Sequence, residues 1–181
     1  MKILIATPLY PPDIAKPALY IKEFARRLSL KKNVVTVIAY SKLPEETAGV
    51  QIVGVNKRHP LLIRLFIFIY RLWQNTRTSD VIYTQNGPSV ELPVFLVSFF
   101  TQKPIIVLMS DRNAHLHAQN RRFLSFLERL LKKQSRTLIT DMPLEKPEIL
   151  PFKQYPESAM KDYESSWKRH LDYVEKKITY A

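Results

Sequence analysis

Cysteine is absent from this sequence and glycine is scarce, with 3 in 181 residues. The missing thiols exclude disulfides, thiolate metal sites and a cysteine nucleophile, and they fit a reducing cytosol. Glycine usually makes up about 7% of a chain, so a glycine-rich phosphate cradle has almost no raw material here. Neither a Gly-x-Gly-x-x-Gly turn nor a Walker-type P-loop occurs, and no Gly-x-Ser-x-Gly elbow does. Dinucleotide-type dehydrogenases, P-loop NTPases and ordinary α/β-hydrolases are excluded on that ground. Acidic residues are also in deficit: 16 Asp+Glu stand against 28 Lys+Arg, for a net charge of +12. No apolar run suits a bilayer span, which takes about 20 residues. Residues 61–73 are interrupted by Arg64 and Arg71, and 90–109 by Glu91, Pro93, Lys103 and Pro104. The apolar start, 1–6, meets Pro8, Pro11, Pro12 and Asp13 with no A-x-A-type cleavage site. It reads as a buried strand rather than a signal peptide.

What is present is globular: 46% apolar and 24% charged residues, in a length that suits one domain. The 13 prolines punctuate an alternation of patterns. Short apolar or β-branched runs at 2–6, 34–40, 51–55, 80–84, 105–109 and 137–140 predict strands. Between them lie helical patterns. Pro17 opens the first, with Ala18, Tyr20, Ile21, Phe24, Ala25 and Leu28 at helical spacing. Pro60 opens the second, through Thr76, and a third runs over 89–101. A basic amphipathic helix is expected over 121–134. Strands alternating with helices predict parallel pairing and right-handed crossovers, hence a single Rossmann-like, doubly wound α/β sheet. We divide the chain into that domain over 1–141, a proline-rich strap over 142–155 and a terminal helical segment over 156–181. Tyr163, Trp167, Leu171, Val174 and Ile178 form one stripe of that segment, which should dock on the sheet domain.

The opening, Met1-Lys2-Ile3-Leu4-Ile5-Ala6-Thr7-Pro8-Leu9-Tyr10-Pro11-Pro12-Asp13-Ile14, resembles the start of a family 4 glycosyltransferase of the GT-B fold. The likeness continues through Val35-Thr36-Val37-Ile38, Asp80-Val81-Ile82-Tyr83, Gln85-Asn86-Gly87-Pro88-Ser89 and Lys103-Pro104-Ile105-Ile106-Val107. It covers about residues 1–140, the amino-terminal, acceptor-side domain of that fold. The resemblance implies transfer of sugar, with retention, from a nucleotide-sugar substrate to an acceptor hydroxyl, with no further cofactor. Two departures stand out. Where the family has a glycine pair beside the donor diphosphate, this chain has Ala15-Lys16. Either the Lys16 ammonium contacts phosphate in its place, or donor binding at this loop is lost and Lys16 is solvated. The family's second domain, with its Glu-x7-Glu signature, has no counterpart after Asp141. A continuation or a partner chain would have to supply it, and the chain alone should be a poor catalyst. The terminal helix resembles the GT-B helix that crosses back onto the first domain.

Asp111 follows the fifth strand, where an α/β sheet usually places its ligands. It could orient or deprotonate an acceptor hydroxyl, or serve only as an ion pair with Arg112 or a helix cap. His115 and His117 lie in the polar stretch beyond. His115 is an acceptor-side candidate; surface histidines are the plainer reading, and no ligand set for a metal exists. Asn86 sits on the turn after the fourth strand, as an acceptor contact or as turn chemistry with Gly87. Asp13 and Tyr10 belong to the first loop: Asp13, with Ala15 and Lys16, is placed on the donor-phosphate side, and Tyr10 is an acceptor-side candidate, packing beneath the loop being its plainer reading.

The positive charge gathers on two helices rich in aromatic residues, 61–77 and 121–136. Basic amphipathic helices suit an anionic membrane surface, which would place the protein in the cytoplasm, peripheral on the inner face of the membrane. The plainer reading is apolar stripes facing the core with solvated charges outside. Nucleic acid, the other partner of such charge, lacks any recognised module here. A second overall reading, from another class of function, is a catalytically inactive scaffold that binds a glycan, a lipid or a protein.

Overall fold

The computed structural model describes residues 1–109, 125–126, 129–130, 133, 137–140 and 157–179. Six strands form one sheet: β1 (Lys2–Thr7), β2 (Val34–Ala39), β3 (Val50–Gly54), β4 (Val81–Gln85), β5 (Ile105–Met109) and β6 (Thr137–Thr140). Their order is β3-β2-β1-β4-β5-β6, and every pairing is parallel. Ile3 stands opposite Val35 on one side and Val81 on the other. Four helices have described bounds: α1 (Lys16–Leu30), α2 (Leu61–Thr76), α3 (Pro88–Thr101) and α4 (Glu157–Thr179).

The period of two along each strand divides the core. Ile3, Ile5, Val35, Val37 and Tyr83 face α1 and α4; Leu4, Ala6, Ile38, Ile82 and Val107 face α2 and α3. The result is three layers with helices on both faces, the doubly wound arrangement expected from the alternation of patterns. Central β4 is buried at all five positions, as a strand covered on both faces must be.

The terminal stripe docks as expected. Trp167, Leu171, Val174 and Ile178 are buried against Tyr20, Phe24 and Leu28 of α1. Tyr20 stacks on Trp167 with ring centroids 5.7 Å apart. Its hydroxyl lies 2.6 Å from His170 Nε2 and 3.2 Å from the Tyr83 hydroxyl, tying α1, α4 and β4 through one buried polar chain. At the rim of this contact, Arg27 places its guanidinium on Glu164 with two bonds of 2.6 Å, and Lys31 bridges Asp172 and Glu175. Helix and strand limits differ from the sequence reading by one or two residues, and α4 runs Glu157–Thr179. Of the basic helix expected over 121–136, only Ser125, Phe126, Arg129, Leu130 and Lys133 are described, and they are helical. The strap lies outside the described residues.

Candidate functional site

β1 and β4 are neighbours, yet the chain leaves β1 toward α1 on one face and leaves β4 toward α3 on the other. An α/β sheet places its ligand crevice at the carboxyl end of the strands where the connections diverge in this way, so the candidate crevice is the edge formed by the stretches after Thr7 and Gln85, which meet at Pro8 and Gly87. Its floor is polar and tightly joined. The Thr7 hydroxyl lies 2.6 Å from Gln85 Oε1, and Gln85 Nε2 donates to the Pro17 carbonyl at 3.3 Å. Both side chains are buried. One short chain of bonds thus pins the ends of β1 and β4 to the first turn of α1. The sequence reading did not single out Thr7 or Gln85. The available signal was a polar residue closing each of two otherwise apolar strands.

One wall is the loop from Pro8 to Ala15. Tyr10 lies beneath it, 1% exposed, with its hydroxyl 2.7 Å from the Thr47 hydroxyl. Burial raises its pKa. The expectation that Tyr10 packs under the loop is met, and this side chain is not presented to the crevice. Asp13 also works within the loop: Oδ1 accepts the Ala15 N–H at 3.2 Å, and Oδ2 pairs with Lys57 at 3.2 Å. The Pro11 carbonyl accepts the Glu45 N–H, and Lys22 pairs with Glu45. What the loop offers outward is Ile14, 89% exposed, together with the exposed Lys16.

Ala15 caps α1 with φ −62° and ψ 139°, an ordinary extended conformation, so no residue at this corner needs a left-handed backbone. The corner is nevertheless a poor phosphate cradle. Pro17 has no N–H, and Ala18 and Leu19 both direct theirs at the Ala15 carbonyl. The donors that a helix N-terminus ordinarily leaves for an anion are mostly committed.

The opposite wall begins at Asn86 and Gly87. Asn86 is buried and its N–H donates to the Leu108 carbonyl at 3.0 Å. Gly87 is approached by the first loop: a Cβ built there would lie 3.2 Å from Pro8 Cγ. Glu91, buried in the first turn of α3, accepts the Gly87 N–H at 3.0 Å and satisfies a donor at the helix start. A carboxylate there also complements the helix dipole. Tyr40 donates to the Ser89 carbonyl at 2.8 Å, and burial pushes its hydroxyl pKa up to about 12, so it stays a neutral donor. Glu91 was noted in the sequence only as a break in an apolar run. A single acid in an apolar helix start was the signal.

Asp13, Ala15 and Lys16 thus lie on the stretch after β1 and Asn86 on the turn after β4, two stretches that meet at Pro8 and Gly87, with Tyr10 packed below the first. Asp111, His115 and His117 lie outside the described residues. Among the described residues no group of acidic and histidine side chains could hold a metal.

No protein-family model matches the sequence, and no curated protein matches it. Solved structures do resemble it in shape. A Listeria monocytogenes protein assigned as a UDP-N-acetylglucosamine 2-epimerase shares 10% identity at a TM-score of 0.54, over 77% of this chain and 39% of its own. UDP-GlcNAc 2-epimerase from Methanocaldococcus jannaschii shares 15% identity at 0.51, over 79% of this chain and 40% of its own. Anabaena Alr3699/HepE, solved with UDP and glucose, shares 17% identity at 0.50, over 93% of this chain and 51% of its own. The likeness is one of fold: the chain has the architecture of a GT-B-type domain. It spans between about two fifths and half the length of these proteins.

Proposed function

We propose that this chain is the acceptor-side domain of a GT-B glycosyltransferase resembling family 4, acting on a nucleotide sugar. The observation that carries this reading is the reversal of strand order between β1 and β4, where an α/β sheet places its ligand crevice. Its floor is locked by Thr7 and Gln85, while its rim holds an exposed Ile14 and Lys16 with no partner among the described residues to cover them. A rim of that kind suits a second body closing over it. The solved proteins of this shape include epimerases named for UDP-N-acetylglucosamine and a protein holding UDP and glucose. A sugar nucleotide is therefore the substrate class that we assign. The second body is a donor-binding domain, supplied by a continuation of the chain or by a separate chain.

In this reading Asp111, two residues beyond β5, accepts the proton of the acceptor hydroxyl. The freed oxygen bonds to the anomeric carbon, and the bond from that carbon to the leaving nucleoside diphosphate breaks with retention. Asn86 and His115 hold the acceptor, and the Lys16 ammonium faces the leaving diphosphate. Most of the donors that stabilise the developing charge must come from the second domain.

The test is an isotope-edited NMR titration of the labelled chain with UDP-glucose in the presence of an unlabelled donor-binding domain, followed by transfer assays of the pair. Shifts confined to residues 9–16 and 86–91 are expected, and Asp111→Asn should lower the transfer rate by at least about 100-fold. Shifts elsewhere, or none, would overturn the site. Robust transfer by the chain alone would overturn the division of labour.

One observation favours a scaffold without catalysis: the committed N–H groups at the start of α1. In that case Asp111→Asn leaves ligand binding intact and no partner domain restores transfer.

A further inference from the structure

The face made by α2 and α3 away from the sheet is unusual for a surface. From residue 61 to residue 73 only Arg64 and Arg71 interrupt apolar side chains. Phe68 and Leu72 are spent on the core. Ile67, Ile69 and Trp73 pack partly against it, whereas Leu62, Phe66 and Tyr70, at successive four-residue steps, are exposed, with Phe66 at 72%. On α3, Phe99 and Phe100 are exposed at 65% and 68%. Phe100 meets Trp73 edge to face, and between the helices lies an open cleft of about 390 Å³. Phe66, Ile69, Trp73, Leu96, Val97 and Phe100 line it, with no polar side chain among them. At 1.5 Å per residue α2 is about 24 Å long, so the apolar strip runs from the crevice end of the sheet to its far end.

The exposed charge on α2 has one sign. α2 contains no carboxylate, and the one in α3, Glu91, is buried at the crevice. Arg58, Arg71 and Arg77 are exposed before, within and just after α2, and none pairs with a carboxylate among the described residues. Arg77 lies over the Trp73 ring at 5.3 Å. No described helix is long and apolar enough to cross a membrane.

We infer that the α2/α3 face docks on an anionic lipid bilayer, with α2 lying in the plane of the interface. Exposed aliphatic and aromatic side chains enter the boundary between headgroups and acyl chains, and the arginines meet phosphate. A second copy of this chain is a worse occupant, because it would set like arginines against one another on a molecule of charge +12. In this orientation the crevice opens at one end of the docked helix, beside the bilayer. The inference uses no residue of the crevice, so it stands or falls apart from sugar transfer.

Co-sedimentation of the full chain with vesicles tests it, comparing pure phosphatidylcholine with an equal mixture of phosphatidylcholine and phosphatidylglycerol. Strong binding to the mixture, weakened by salt and much reduced on phosphatidylcholine alone, is expected. Each arginine near the surface should contribute about fivefold, so the triple variant R58Q/R71Q/R77Q should bind about 100-fold more weakly. The double variant F66S/F100S should lose at least about tenfold. Both variants change exposed side chains, and an unchanged melting temperature will show that they fold. Failure of the wild-type chain to bind the mixed vesicles would overturn the inference, as would equal binding by the folded variants. Self-association of the wild-type chain that F66S/F100S abolishes would also overturn it, in favour of a second copy.

Discussion

Thr7 and Gln85 show how much a single buried amide can hold. Gln85 accepts from a strand end and donates to a helix start, so Gln85→Leu strands the Pro17 carbonyl and frees the Thr7 hydroxyl from one partner. A cost of about 1–3 kcal/mol is expected in denaturant unfolding. Gly54 is constrained by space rather than by chemistry. A Cβ there would lie 2.7 Å from the Ser41 carbonyl oxygen, a backbone atom that cannot swing aside. Gly54→Ala should destabilise by about 2–3 kcal/mol, measured by the same unfolding. The terminal contact has a proton-linked component. Burial works to raise the Glu23 pKa, but hydrogen bonds from Arg26 and Arg27 outweigh it and hold the carboxyl below its ordinary 4.5. The Arg27 hydrogen bond likewise lowers Glu164. Both groups bind protons less readily folded than unfolded, so their stabilisation is complete above about pH 5 and drains away as the pH falls further. Melting temperature against pH should show that loss, and Glu23→Gln should make it shallower.

Among the elements, α4 makes the clearest commitment. Trp167 is stacked on Tyr20, crossed by the Arg27 guanidinium at 5.0 Å and fully buried. Trp167→Ala should cost about 3–5 kcal/mol, read from chemical denaturation. The same helix marks the limit of what the sequence discloses. Its stripe was legible because 3.6-residue periodicity is a local property, and so were the strands, whose apolar runs are short and set off by polar residues or prolines. The buried link from Tyr20 to Tyr83 and His170 was not legible, because its members lie up to 150 residues apart. Thr7, Gln85 and Glu91 escaped for a related reason: each looks like ordinary polar punctuation until the parallel register aligns them. α3 ends on Gln102 in a left-handed conformation at φ 53°, a place that favours glycine. Gln102→Gly should therefore raise stability by about 0.5–1 kcal/mol in the same assay.

For the whole molecule, the two faces of the sheet have different ends to serve. One is sealed by α1 and α4 around aromatic side chains. The other carries α2 and α3, whose inner stripes fill the core and whose outer residues include exposed Leu62, Phe66, Tyr70, Phe99 and Phe100 beside Arg71. The crevice opens where the two faces diverge. The fold class was legible from the alternation of patterns alone, since parallel crossovers leave few other solutions. The crevice position followed from it. The chemistry did not follow to the same degree. Two candidate side chains, Tyr10 and Asp13, turn out to brace the loop, and those beyond β5 lie outside the described residues.

The pairing of α1 with α4 also sets a timetable for synthesis. Tyr20 finds its partner at position 170. At a ribosomal pace of roughly 5–20 residues per second, α1 is made on the order of ten seconds before the helix that covers it. During that interval Tyr20, Phe24 and the apolar strand residues beneath them lack their final lid. The nascent chain is then a client for whatever holds exposed aromatic surface in the cell, and its native core closes only as the last turns of α4 arrive.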